Sequence, residues 1–259
     1  MSKKLAISLA VVLFWTAAWC ILDWYLPDLL FAGPLNTWNS LCRQIQTLLF
    51  WRSILHSLCK IITGFLLALL SGLLCAVLCY FVRPVAFLLE PAVQVMKTVP
   101  VACFIIVALI WISSENISIL VAFFVVFPAV YINLSQGLRQ VDPKLLEMAA
   151  IFRISPLKKL RALYLPQIMP YLLSSCQLGV GMAWKAGVAG EIIGLPDCSI
   201  GDELYLAKLY LNIDDLFAWT IVIIGISLLC EKFVIRILQQ FNQRWQKGSK
   251  YGYLFQAGR

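Results

Sequence analysis

The chain has 259 residues, of which 61% are hydrophobic and 13% charged, with a formal charge of +8. That excludes an ordinary water-soluble domain, because the apolar residues gather into runs of about 20, enough to cross roughly 30 Å of hydrocarbon. A nucleic-acid binder is excluded too: the basic residues lie between apolar runs and in the tail, not on a soluble face with interleaved aromatics.

In chain order the apolar pattern predicts an all-α membrane protein with six transmembrane helices, at about 5–22, 54–81, 85–112, 117–138, 171–193 and 216–238. The whole chain, 1–259, reads as a single polytopic transmembrane domain. The first span follows Lys3-Lys4, exceeds a typical signal-peptide core and lacks a small-residue cleavage site, so it reads as a retained helix. The segment 23–51 is rich in aromatics, broken by Pro27, Gly33 and Pro34, and predicts a short helix along the interface. In the second span Gly64, Ala68, Gly72 and Ala76 recur every four residues, giving a face on which another helix can lie close. Val99-Pro100 interrupts the third span and predicts a kink or a split there. In the fifth span Gly179, Ala183 and Gly187 form a second row of small residues, continued by Gly190 and Gly194.

Lysine and arginine set the expected orientation. With both termini inside, the cytoplasmic side takes Arg83, Arg139, Lys144, Arg153, Lys158, Lys159 and Arg161, together with Lys3, Lys4 and the tail from Arg236 to Lys250 and Arg259. The outer side keeps Asp28, Glu115, Asp197, Asp202, Glu203, Asp214 and Asp215 against few bases. The segment 139–167, between spans four and five, is therefore expected in the cytoplasm.

That insert is too long and too amphipathic for a simple loop. Asp142-Pro143 is a good helix start, followed by a helix over 144–152 that offers Glu147, Ala149, Ala150, Ile151 and Phe152. Arg153 falls in the turn, and Ser155-Pro156 repeats the start signal for a second helix over 157–164. In that helix Leu157, Leu160, Leu163 and Tyr164 are expected to face the membrane domain, with Pro166 and Pro170 ending the insert before the fifth span. Periodicity alone fits either a knob for a groove on another protein or a hairpin resting on lipid.

Four further residues stand out. Lys97, Trp184, Lys185 and Glu191 lie in or near the apolar middle of spans, where a charge costs roughly 2.5–3.5 kcal/mol unless it pairs or faces a cavity. They are candidates for a translocation path; pairing with a neighbouring helix, or snorkelling in the case of Lys97, explains the charges as well. His56 and Lys60 read as interfacial. Nine cysteines with one histidine and no CxxC pair argue against a metal site, and Cys42 and Cys198, outside the spans, read as free thiols or a disulfide. No Walker A, HExxH or G-x-S-x-G sequence is present, so no catalytic residue and no cofactor is expected on this chain.

Glu147-x-Ala149 followed by Leu165-Pro166 resembles the EAA loop of ABC-importer permeases. The run from Gly181 to Gly187 through Glu191-Ile192-Ile193-Gly194, with Gly201-Asp202-Glu203-Leu204-Tyr205 and Asp214 to Trp219, resembles the nitrate/sulfonate/taurine-type branch. The resemblance covers roughly residues 50–240. It implies a type I importer fold in which 139–167 is the coupling loop, and Glu147 to Arg153 with Ser155 and Pro156 meet the ATPase. The implied partners are two ABC ATPase subunits per complex, an extracytoplasmic solute-binding protein, and a second copy or a related permease, all at a bacterial cytoplasmic membrane. The branch imports nitrate, organosulfonates, pyrimidine precursors and similar small solutes. One departure is visible: the family usually carries glycine where Arg153 stands, which puts the turn in question. The alternative reading is a self-contained secondary transporter or channel with a lipid-bound hairpin.

Overall fold

The computed structural model describes residues 3–27 and 30–248, and every regular element among them is helical. Asp28, Lys250 and Arg259 lie outside the described residues, as do the side chains of Lys3 and Lys4. The helices are α1 (Lys3–Tyr25), α2 (Pro34–Ile45), α3 (Leu48–Phe81), α4 (Arg83–Thr98), α5 (Val101–Ala108), α6 (Ile117–Arg139), α7 (Pro143–Ile151), α8 (Pro156–Lys159), α9 (Leu165–Gly194), α10 (Ile200–Leu209) and α11 (Ile213–Gly248).

Among the described residues three helices are long and apolar enough to cross a membrane, Leu48–Phe81, Ser114–Arg139 and Ile213–Ile237. A fourth crossing is available if α4 and α5 count as one broken span. These two are bent by 105° at Val99-Pro100, the break that proline at that place predicts. The apolar part of α1, Ala10–Tyr25, is shorter, and α9 is diluted by glycine, serine, Gln177, Lys185 and Glu191. Near α1 the expected short helix is present as α2, started by Pro34; Trp19 Nε1 donates to the Ala32 carbonyl at 2.9 Å.

The centre of the fold is the trio α3, α6 and α9. Contacts of Gly64 with Ile119 and of Gly72 with Val130 make α3 and α6 parallel. Those of Gly187 with Ile61 and of Gly194 with Ile117 make α9 antiparallel to both. Gly64, Ala68, Gly72 and Ala76 are all buried, and the row serves packing. A Cβ on Gly64 would stand 2.4 Å from the Ile119 carbonyl oxygen, a backbone atom that cannot swing away. In lipid, where water exclusion does not drive helices together, this close approach supplies dispersion contact over the whole seam.

One end of the trio carries α2, α10 and the start of α11; the other carries the insert, α7 and α8. At the insert end the helix does not stop at proline as expected. The chain passes from α8 through a π-helical turn, Leu160–Tyr164, directly into α9, with Pro166 in the first turn and Pro170 inside the helix. A π turn already shifts the hydrogen-bond register by one residue, so the donor missing at Pro166 falls where the ladder is being reset.

Gly64→Ala is expected to destabilise the chain by about 1–3 kcal/mol through overpacking. Gly181→Ala, where a Cβ meets nothing within 4 Å, should be near neutral. Thermal unfolding of both variants in detergent checks this; equal melting temperatures would show that the α3–α6 seam can open.

Candidate functional site

At the insert end, α7 begins where Asp142 Oδ1 accepts a bond from the Lys144 amide at 2.9 Å and Pro143 occupies the first turn. Its far end closes on Arg153, which takes φ 49°, the left-handed conformation that glycine adopts at no steric cost. The Ile154 amide donates to the Ala149 carbonyl and the Arg153 amide to that of Ala150, each at 3.0 Å. This pairing is a Schellman closure. The glycine departure is therefore resolved by strain: arginine makes the turn that glycine would make more cheaply.

The closure sorts the candidate residues. Ala149 is fully buried, and not part of the low-profile surface expected of it, because its carbonyl sits inside the closure. Glu147, Ala150, Arg153, Ser155 and Pro156 are exposed. Ile151 and Phe152 are 78% and 72% exposed. Leu157, expected against the membrane domain, is 80% exposed, and Leu160 is exposed as well. Only Leu163 and Tyr164 turn inward, Tyr164 packing its ring on Tyr80 and Phe81 at 5.8 and 6.1 Å. The hairpin thus presents Met148, Ile151, Phe152 and Leu157 together, with Glu147, Arg153 and Lys158 around them. An apolar group of this size, rimmed by charge on a projecting helix pair, is of the kind that marks a contact with another protein or with lipid.

The four mid-span candidates separate. Lys185 is exposed, on a face of α9 that also shows Ser174, Gln177, Leu178, Gly181 and Met182. It has no ion-pair partner among the described residues, and neither has Lys97, exposed in the last turn of α4 beside the 105° break. Trp184 and Glu191, in contrast, are enclosed.

Glu191 is the hub of a buried polar cluster. Ser57 Oγ donates to Oε2 at 2.7 Å, Ser118 Oγ to Oε1 at 3.0 Å, and the Gly201 amide to Oε2 at 3.2 Å. Ser57 in turn accepts from the Ile200 amide at 2.9 Å, and Ser199 caps α10 through the Asp202 amide at 3.0 Å. One carboxylate thereby ties α3, α6, α9 and the N-terminus of α10, whose dipole favours a negative charge there. Gly201 is required by contact: its Cβ would lie 2.3 Å from that of Glu191. The single sequence signal for this cluster is a carboxylate in an apolar span; its serines lie 134 and 73 residues away along the chain.

Beside the cluster, His56 Nε2 lies 3.4 Å from Glu115 Oε2, and Lys60 Nζ donates to Asn116 Oδ1 at 2.9 Å. Burial raises the Glu203 carboxyl above its usual range, with Asp202 and Asp215 adding to the effect; Asp202 rises through burial and Asp197. The nine cysteines are free, Cys42 and Cys198 included.

Fold and site define a multi-pass helical membrane protein with a projecting helical hairpin. The chain belongs to the family of binding-protein-dependent transport system inner membrane components, whose model matches residues 60–247. It is 29% identical over 185 residues to SsuC of Bacillus subtilis, named for aliphatic sulfonates transport, covering 71% of this chain and 66% of that protein. It is 27% identical over 198 residues to the bicarbonate transport system permease CmpB of Synechococcus elongatus, covering 76% and 69%. The nitrate import permease NrtB of the same organism is 28% identical over 141 residues, covering 54% and 50%. These relatives place the chain in the nitrate/sulfonate/bicarbonate branch of ABC permeases, multi-pass proteins of the inner membrane.

Two outcomes are expected. Glu191→Ala should lower stability by about 2–4 kcal/mol, since it leaves a void and unpaired donors, and Glu191→Gln by less. Melting in detergent checks this; an alanine variant as stable as the parent would remove the hub. Arg153→Gly should stabilise the turn by ~1 kcal/mol, read as several-fold slower hydrogen exchange at the Ile154 amide. Unchanged or faster exchange would contradict the strain argument.

Proposed function

We propose that this chain is the permease subunit of an ATP-driven importer and that it carries a small anionic solute. In this reading the six spans expected from sequence cross the membrane as one domain, 1–259, with both termini in the cytoplasm. The coupling loop 139–167 meets one of two ATPase subunits, and a second permease completes the pore. An external binding protein delivers the solute to the α10 end. The observation that carries the reading is the apolar, charge-rimmed hairpin tip, fused at its base to α6 and α9. Glu147, Ala150, Ile151, Phe152, Arg153, Ser155 and Pro156 form the contact, and Ala149 holds its shape from within. Closure of the two ATPases pushes the hairpins together, and the rigid trio carries that displacement to the far end.

Anion transport is supported by Lys185, the one charged residue on the exposed face of α9, where Ser174, Gln177 and Gly181 leave a narrow polar stripe. A cation in low dielectric without a protein partner attracts an anion strongly. The named cargoes of the three relatives, sulfonates, bicarbonate and nitrate, are all anions in neutral water. Lys97 extends the path to the break between α4 and α5, and Trp184 and Glu191 brace α9 from behind.

Purification from the native membrane in mild detergent should recover an ABC ATPase in stoichiometric amount, lost on Glu147→Lys while the chain still inserts. In vesicles, Lys185→Ala should lower ATP-dependent uptake of the anion by about tenfold or more, equivalent to ~1.4 kcal/mol. Recovery of the intact chain alone, or uptake that follows the proton gradient and ignores ATP, would favour a secondary transporter instead.

A further inference from the structure

The face of α9 opposite Lys185 borders a cavity of about 300 Å³ between α3, α9 and α11. Its floor is fully enclosed: Phe65, Cys176, Val180, Ala183 and Trp184 are all buried, Trp184 to 2% exposure. Its rim is not: Ile62 and Leu66 on α3 and Phe233 and Ile237 on α11 are exposed, Phe233 to 66%. The cavity therefore opens sideways, through apolar side chains, in the part of the molecule that lies in the membrane. Trp184 Nε1 is the only side-chain nitrogen or oxygen in its walls, and it has no acceptor among the described residues.

These features select the occupant. Water needs two to four polar partners, and this space offers one donor. An anionic solute would be desolvated here with no counter-charge. A further helix, about 10 Å across with its side chains, is too wide for so small a volume. An empty void would forfeit the packing that holds helices together in lipid. A flexible hydrocarbon chain entering between α3 and α11 meets each condition.

We propose that this cavity is a binding site for one acyl chain of a membrane phospholipid, inserted as a wedge between α11 and the α3–α9 pair. The bound chain replaces protein contact that α11 does not make. It presses on the back of the helix whose front carries Lys185, so lipid binding and the solute face share one rigid element.

The test is photo-crosslinking of the full chain in its native membrane, using phosphatidylethanolamine with a diazirine midway along one acyl chain. Adducts are expected on the floor peptide 176–184 as well as on Leu228 and Leu229, which face outward on α11. Ala183→Leu, which fills the floor, should cut the floor adducts by about tenfold, with Leu228 and Leu229 unchanged. Adducts on Leu228 and Leu229 with none on 176–184 would overturn the proposal from the parent protein alone, whether or not the variant folds. Floor labelling that survives Ala183→Leu would overturn it as well. Labelling by a diazirine fatty acid, but not by the phospholipid, would overturn the phospholipid assignment.

Discussion

One buried carboxylate determines how the two ends of this molecule relate. Glu191 takes hydrogen bonds from α3, from α6 and from the first turn of α10, so two helices distant in sequence and the next one along the chain converge on a single side chain. A charge that deep is costly unless its partners are all in place, and partial satisfaction is worse than none. The arrangement is therefore close to all-or-none. With it formed, α10 is not a loop helix free to drift on the surface but an extension of the trio.

The same trio is rigid along its length for a different reason. Gly64, Gly72, Gly179, Gly187 and Gly194 bring helix backbones together until side chains of the neighbour touch the bare helix surface. Small faces give contact that is dense and short-ranged, and a seam of that kind resists bending better than one padded with long side chains. At the insert end the hairpin joins this body without a hinge, because α8 runs into α9 through a π turn and no loop intervenes. A force applied at Leu157 is passed to the Glu191 cluster through continuous helix, and one applied at Phe152 reaches the same helix through the turn at Arg153.

Much of this was legible in the residues themselves. The rows of small residues, the break at Val99-Pro100 and the start of α7 at Asp142-Pro143 are local signals with local causes, and the structure follows them. Three features were not legible. Pro166 and Pro170 read as stops, yet a π turn upstream absorbs the lost donor, and nothing in a periodic pattern announces such a turn. Leu157 and Leu160 read as inward-facing because apolar residues usually are; here they point outward, which makes sense only if another molecule covers them. The partners of Glu191 could not be found from sequence, since serine in an apolar helix is as often bonded to its own backbone as to a neighbour.

The faces of α9 show why its composition defeats a simple test for a membrane span. One side is small and packs on α3 and α6; another is polar around Lys185; a third, with Val180 and Trp184, borders the apolar cavity under α11. A helix that meets three environments cannot be uniformly apolar, and its mean hydropathy falls for that reason alone. The same reasoning sets α11 apart. It is apolar and only 17% buried over its span, as expected of a helix that touches lipid on most sides. Hydropathy by itself does not rank the helices by contact. The spans of α3 and α6 have higher mean hydropathy than that of α11, 2.6 and 2.4 against 2.0, yet more of each is buried, 33% and 56% against 17%. A helix packed on apolar neighbours and one facing lipid need the same kind of side chain.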